Sequence, residues 1–403
     1  MKSYFIYIFS LFLLAACNDS IQQSDPEDSG ILQEITVSRV SRASYLNEEE
    51  MAPGDVRALE GSSEFPASTL LYISQLSNIS EPNFKEDAKN NLYVFQYVKN
   101  PEADWDANYN FERKEGSDTL TWLKIKQTGS VGNGFSLYAM TFPGNKITFK
   151  VNKDQTGSGN DPYDQDNFNN SDILGAYHAT STLFTRLRFN LFHLMTYLKV
   201  TLYVPDYKDN TNEGGQSSYS GYKEGALEAG YVLNAYENFT IEWRANRSSD
   251  TEAPLTYGTG NSTSIKMYMH EPVNDVISLN NVKDYFKNSL LSEDTVRAYN
   301  FSVLFPARSE TDKTTISLCF FLRNIDNQMK YYYFESGQIT TGFYSPVQGT
   351  LQQLYLYLDR NDNTAILVGA KILPWGNSST DMTVTEEKPE SLDDEFSEKG
   401  ANS

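Results

Sequence analysis

From residue 31 onward the chain is written in short apolar runs separated by polar, turn-forming stretches, and the runs repeat with a period of two. The alternation is clearest in Tyr197-Leu198-Lys199-Val200-Thr201-Leu202-Tyr203-Val204. Leu198, Val200, Leu202 and Val204 share one face there, which predicts a strand of a half-buried sheet. Similar runs predict strands over Ile31 to Val37, Thr69 to Ser74, Leu92 to Val98, Phe135 to Phe142 and Ile147 to Val151. A second series follows: Phe239 to Trp243, Ile265 to Met269, Tyr299 to Phe305, Ile316 to Leu322, Tyr331 to Phe334, Leu351 to Leu358 and Ala365 to Leu373. Helical signal is confined to short pieces such as Val282 to Leu290.

Many short strands with turns between them predict an all-β protein of two antiparallel β-sandwiches in tandem. Pro205-Asp206 ends the clearest strand, and a Gly- and Ser-rich stretch runs from Asn210 to Gly221. The predicted domains are therefore residues 31–208 and 209–385. Residues 18–30, polar and without periodicity, read as a linker. From Glu386 to Ser403 seven acidic residues stand against two lysines, which predicts a disordered tail.

The first residues follow another pattern. Lys2 precedes an apolar run from Tyr4 to Leu14 that ends in Leu14-Ala15-Ala16-Cys17. The run is too short to span a bilayer, and small residues before a cysteine suit a lipoprotein signal peptide over residues 1–16. Cleavage would make Cys17 the first residue and the site of lipidation, with palmitate or similar chains as the anchor. The acidic stretch 17–30 then serves as a tether, and an export signal to the outer face is a second reading of the same residues.

Composition narrows the chemistry. The 403 residues include Tyr 27 and Phe 23, enough large apolar side chains for substantial cores. Formal net charge is −20, which becomes −21 once Lys2 leaves with the signal; with no basic patch, nucleic acid is excluded as a partner. Only Cys319 remains once Cys17 is lipidated, so no internal disulfide is available, and its apolar run marks it as a small buried hydrophobe. His178, His193 and His270 show no metal-ligand spacing. His193 reads as a ring closing hydrogen bonds at a strand end. No nucleophile elbow, phosphate loop or dinucleotide fingerprint is present, so the chain is read as a non-enzyme without a cofactor.

Two weaker constellations stand out. Asp161, Asp164 and Asp166, with Asn167, Asn169, Asn170 and Asp172 close behind, supply oxygen ligands that calcium would accept. The match to a calcium loop is poor, and a solvated loop fits the same residues. Trp105, Tyr109, Tyr219 and Tyr222 lie in loop-like stretches, where they would stack on sugars or cap the end of a sandwich.

Three motifs together resemble the fimbrillin and Mfa-like family of Bacteroidetes, subunits of type V pili and related surface adhesins. They are the lipobox at Cys17, the block Leu187-Arg188-Phe189-Asn190-Leu191-Phe192-His193-Leu194-Met195 running into the Tyr197 strand, and the ending Ile372-Leu373-Pro374-Trp375-Gly376. Ser171-Asp172-Ile173-Leu174 and Trp122 also look like family positions. The resemblance covers residues 30 to 385 as a pattern of motifs. It implies two transthyretin-like, Greek-key sandwiches on a lipoprotein of the cell outer membrane, with like or related subunits and a host or bacterial surface protein or glycan as partners, and cell adhesion as the role.

In polymerising relatives a protease cuts after an arginine, removing the first strand so that a strand of the next subunit fills the groove. The displaceable strand would here be Ile31, Leu32, Ile35 and Val37, and the processing sites Arg39 or Arg42. Both arginines also read as plain surface residues. The acidic ending is unusual for a stalk subunit, because carboxylates do not enter an apolar groove without large cost, and this leaves anchor, tip or unpolymerised adhesin open. A glycan-binding surface lipoprotein of a nutrient-uptake system is the alternative function, and it would need an aromatic platform.

Overall fold

The alternating runs form strands in the computed structural model, and the chain is all-β; the exception is Ile147 to Val151, of which only Lys150 and Val151 are among the described residues, Lys150 making an isolated bridge to Asn238. The structure describes residues 34–38, 51–56, 69–76, 92–98, 108–117, 135–142, 150–157, 161–180, 188–189, 191–211, 217–242, 255–272, 275–286, 295–307, 317–335, 349–359, 363–374 and 385–387. In chain order the first strands are β1 (Glu34–Ser38), β2 (Leu70–Leu76), β3 (Leu92–Val98), β4 (Asn108–Arg113) and β5 (Phe135–Phe142). A one-turn helix α1 (Asp166–Asn169) precedes β6 (Leu174–Thr180), β7 (Arg188–Phe189) and β8 (Phe192–His193). These eight strands make one sheet in the order β7-β1-β4-β3-β2-β5-β6-β8.

The second sheet begins with β9 (Thr196–Pro205). A separate hairpin of β10 (Lys208–Thr211) and β11 (Ser217–Ser220) follows, formed by the Gly- and Ser-rich stretch that the sequence marks as a boundary. Then come β12 (Leu227–Glu242), β13 (Leu255–Lys266), β14 (Tyr268–Met269), β15 (Val276–Ser278), helix α2 (Leu279–Phe286) and β16 (Thr295–Phe305). The last strands are β17 (Ser317–Arg323), β18 (Met329–Glu335), β19 (Thr350–Asp359), β20 (Thr364–Pro374) and β21 (Thr385–Glu387). Their main path is β13-β12-β17-β18-β20-β19-β9-β16-β14, with β15 on β16 and β21 on β20.

Three placements differ from the sequence expectation. β9, assigned there to the N-terminal domain, is a central strand of the second sheet, antiparallel to β16 and parallel to β19. The chain changes sheets between His193 and Thr196. Glu386 and Glu387, expected to begin a free tail, pair in register with Lys371 and Ala370. β9 is also buried on both faces along its whole length, whereas alternation predicted one wet face. Alternation reports only that two faces differ in chemistry; here the polar face is covered by other polar groups.

Leu198, Val200, Leu202 and Val204 point into a shared core with Phe301, Val303, Leu354, Leu356, Leu358, Phe320 and Phe334. The rings of Phe301 and Phe320 lie 5.5 Å apart across this core. Residues 150–157 lace the first half of the chain to the second. Val151 N–H donates to Glu237 O at 3.0 Å. The buried Gln155 amide takes Leu304 as a strand would, donating to its carbonyl at 2.6 Å and accepting its N–H at 2.8 Å. Phe168 packs on Tyr197, ring centroids 5.4 Å apart. Among the described residues no helix is long and apolar enough to cross a membrane.

Candidate functional site

Two N-terminal segments, one on each sheet, form the candidate site. β1 is an interior strand. It runs antiparallel to β4, with Ile35 opposite Phe111 and Val37 opposite Tyr109, and parallel to β7, with Val37 beside Phe189. Phe111 and Phe189 are fully buried. A strand bonded on both sides contributes its backbone N–H and C=O groups to two neighbours, and without it both neighbours would present open edges.

The second segment, Met51–Val56, crosses the polar face of the second sheet. That face is built by alternation: Lys199, Thr201 and Tyr203 of β9 sit in register with Ser302, Asn300 and Ala298 of β16 and with Gln353, Tyr355 and Tyr357 of β19. Asp55 is the centre of the contact. Its Oδ1 meets Lys199 Nζ, both side chains being almost wholly buried at 1% and 2% exposure. Its Oδ2 accepts from Gln353 Nε2 at 2.6 Å and from the Tyr355 hydroxyl at 2.9 Å. The Thr201 hydroxyl, 3.1 Å from Asp55 Oδ1 and 2.8 Å from Asn300 Oδ1, shares its one proton between them.

The segment's backbone is read as well. Tyr203 OH donates to Pro53 O at 2.9 Å, Asn300 Nδ2 to Gly54 O at 3.0 Å, and Lys199 Nζ to Val56 O. Gly54 has φ +73°, and a Cβ there would stand 2.3 Å from Ile277 Cδ1 and 2.5 Å from Ala298 Cβ. Only glycine meets both demands. Ala52 is buried in an apolar cluster with Tyr203, Leu279, Val282, Val296, Ala298, Tyr355 and Val368, so α2 covers the end of the sheet beside the segment.

Burial governs the titration of this face. It pushes Lys199 below its ordinary value, against the pull of the Asp55 carboxylate. Tyr203 and Tyr355 are raised well above theirs, by burial first and by Asp55 second. His270, whose Nε2 lies 2.7 Å from Ser302 Oγ, is pushed down to about 3 by burial and then by the Lys199 ammonium. The face thus holds a buried ion pair inside a cage of neutral donors.

The residues singled out from sequence fare unevenly. Cys17, Arg39, Arg42, Ile31, Leu32, Trp105, Trp122 and Trp375 lie outside the described residues. Ile35 and Val37 are in β1. His193 closes a hydrogen bond at its strand end, Nδ1 to Asp172 Oδ1 at 2.9 Å, as expected. Cys319 is buried, and burial raises its thiol to about 11. Tyr222 is buried, not a loop-end platform: it stacks edge-on against Tyr332, and their hydroxyls meet.

In the acidic loop Asp161 and Asp164 turn inward on their own backbone. Each accepts an N–H two residues on, from Tyr163 at 2.9 Å and from Asp166 at 3.1 Å. Among the described residues no three His, Cys, Asp or Glu side chains gather where they could hold a metal ion. Sequence reasoning missed the Asp55 cage entirely. Pro53-Gly54-Asp55 reads as an ordinary turn, and Lys199 and Thr201 read as the wet side of a strand.

No family model matches the chain, and no curated protein matches it. Solved structures do. A candidate cell adhesion protein from Bacteroides uniformis is 9% identical, with 86% of this chain and 99% of that chain covered and a TM-score of 0.43. A second, from Bacteroides ovatus, is 11% identical over 85% of this chain and 96% of that chain, with a TM-score of 0.41. The tip fimbrial protein Mfa3 from Porphyromonas gingivalis is 9% identical over 85% of this chain and 100% of that chain, with a TM-score of 0.34. At these values the likeness is one of general outline and carries no argument about function.

Proposed function

We propose that this chain is a cell-surface lipoprotein of the fimbrillin type, a fimbrial subunit or adhesin that joins like or related subunits by strand complementation. The observation that carries the reading is the placement of β1: a strand near the N-terminus, bonded on both sides, followed at once by Arg39 and Arg42. Cutting after either arginine severs the covalent connection between the strand and the residues downstream of it. Its departure opens a slot between β4 and β7 whose unpaired backbone groups and buried Phe111 and Phe189 suit an incoming strand. The motif resemblance agrees with this reading. In it the chain forms two tandem sandwiches divided at the sheet change between His193 and Thr196, rather than at residue 208, Cys17 carries the lipid, and the outer membrane is the site of anchorage.

The test is the N-terminal residue and mass of the protein recovered from the surface of intact cells. A start at Val40 or Ala43 is expected for a polymerising subunit, and a lipidated Cys17 for an anchored adhesin. If Arg39→Ala combined with Arg42→Ala leaves processed size and polymer formation unchanged, cleavage at these sites is wrong.

One observation favours a second reading, glycan binding. Tyr331 and Tyr333 are 47% and 50% exposed on one face of β18, and Phe321 packs edge-on to Tyr331 with centroids 4.9 Å apart. Tyr231 continues the strip, 5.0 Å from Phe321. Exposed rings of this kind stack on sugars. Glycan-array hits lost on Tyr331→Ala and Tyr333→Ala would support it; an array without hits would end it.

A further inference from the structure

The Asp55 cage recognises a sequence. It reads a carboxylate with Lys199, Thr201, Gln353 and Tyr355, two consecutive carbonyls with Tyr203 and Asn300, and a glycine through a gap that excludes any Cβ. Met51–Val56 forms no strand ladder; its described bonds to the sheet all come from side chains. A peptide held this way docks as a ligand does, by pockets for chosen groups rather than by a backbone ladder.

The chain on either side is long enough to change address. Residues 39–50 separate the segment from β1, and residues 57–68 separate it from residue 69. Each connection, fully extended, spans roughly 40 Å, about the width of a domain. An identical segment on a neighbouring copy therefore fits the cage and can reach it, and reciprocal exchange closes a two-fold pair.

We propose that the polar face of β9, β16 and β19 is a socket for Pro53-Gly54-Asp55 that accepts the same segment from a second copy of the chain, linking two copies by reciprocal exchange. The segment lies downstream of Arg39 and Arg42, so the exchange needs no removal of β1 and stands or falls apart from the strand-complementation reading. Its partner is chemically defined: the Pro53-Gly54-Asp55 segment of a second copy of this chain.

The experiment refolds the full chain, carrying Cys17→Ser to block lipidation, over a range of protein concentrations and reads mass by light scattering. A dimer fraction that grows with concentration is expected. An excess of a synthetic peptide spanning residues 49–58 should lower that fraction at least tenfold by filling the sockets, and the same peptide with Asp55→Ala should not. Monomer at every concentration, or a dimer indifferent to the peptide, overturns the proposal. As a second arm, Asp55→Ala and Lys199→Met proteins are mixed: one offers an empty socket and the other an intact key. A one-to-one complex formed only on mixing supports exchange, and its absence with both proteins folded by circular dichroism counts against it.

Discussion

β1 and Met51–Val56 are held by opposite physics. β1 is held by backbone on both sides, with its register fixed against β4 and β7. Met51–Val56 is held by side chains converging on one buried carboxylate and three carbonyls. A ladder uses groups that every residue except proline supplies, so many sequences of suitable polarity can replace β1. The cage adds demands that few sequences meet, a carboxylate at residue 55 and a glycine at residue 54. The first attachment tolerates a change of sequence, whereas the second admits its own segment and little else.

Substitution should separate the two. The largest effect is expected at the cage, because removing one member of a buried ion pair strands the other: Asp55→Ala or Lys199→Met should cost about 3–5 kcal/mol. Hydrogen exchange should locate the loss on β9, β16 and β19, leaving the first sheet protected. In β1 the matching change is Thr36→Pro, which removes an N–H from a strand paired on both sides and should cost about 1–3 kcal/mol. Here the loss of protection should fall on β4 and β7. If both variants loosen both sheets equally, the two attachments are not independent and the contrast fails.

Gly54→Ala is the subtler change at the cage. The charge pair and its donors stay, but alanine is strained at φ +73° and its Cβ presses on Ile277 and Ala298. A loss of about 1–2 kcal/mol is expected in chemical denaturation. A neutral result would mean the segment can lift from the sheet without consequence, and the specificity attributed to the cage would go with it.

How much of this was visible in the chain follows from the physics of each part. The strands at Leu92–Val98 and Phe135–Phe142 could be read to the residue because apolar alternation is local. β4, with Asn108, Asn110, Glu112 and Arg113 among its six residues, has too little apolar content to announce itself. The sheet change at β9 was hidden because a strand's partners are chosen by distant chain, not by its own pattern. The buried faces of Lys199 and Gln353 were hidden for a related reason. A polar residue is buried only when partners far away in sequence satisfy it, and Asp55 is nearly 150 residues from Lys199 and 300 from Tyr355.

The smallest expected effect at neutral pH comes from His270, at the edge of the same face, and it sharpens the comparison by reporting on the charge beside it. In the unfolded chain the ring takes up a proton near its ordinary value of 6.5, whereas burial and the Lys199 ammonium hold it neutral in the folded protein down to about 3. Between those values the unfolded state binds the extra proton, so stability falls as pH is lowered through the window; above it neither state is charged and the residue is silent. The slope from this one group is at most about 1.4 kcal/mol per pH unit. Carboxylates titrate in the same range, so the informative quantity is the difference between wild type and His270→Gln in unfolding free energy from pH 7 to pH 4. That difference should grow in favour of the variant as pH falls. In a Lys199→Met background it should grow less, because the folded ring is then easier to protonate. An unchanged difference in that background would mean that burial alone sets the ring, and that the Lys199 charge is spent wholly on Asp55.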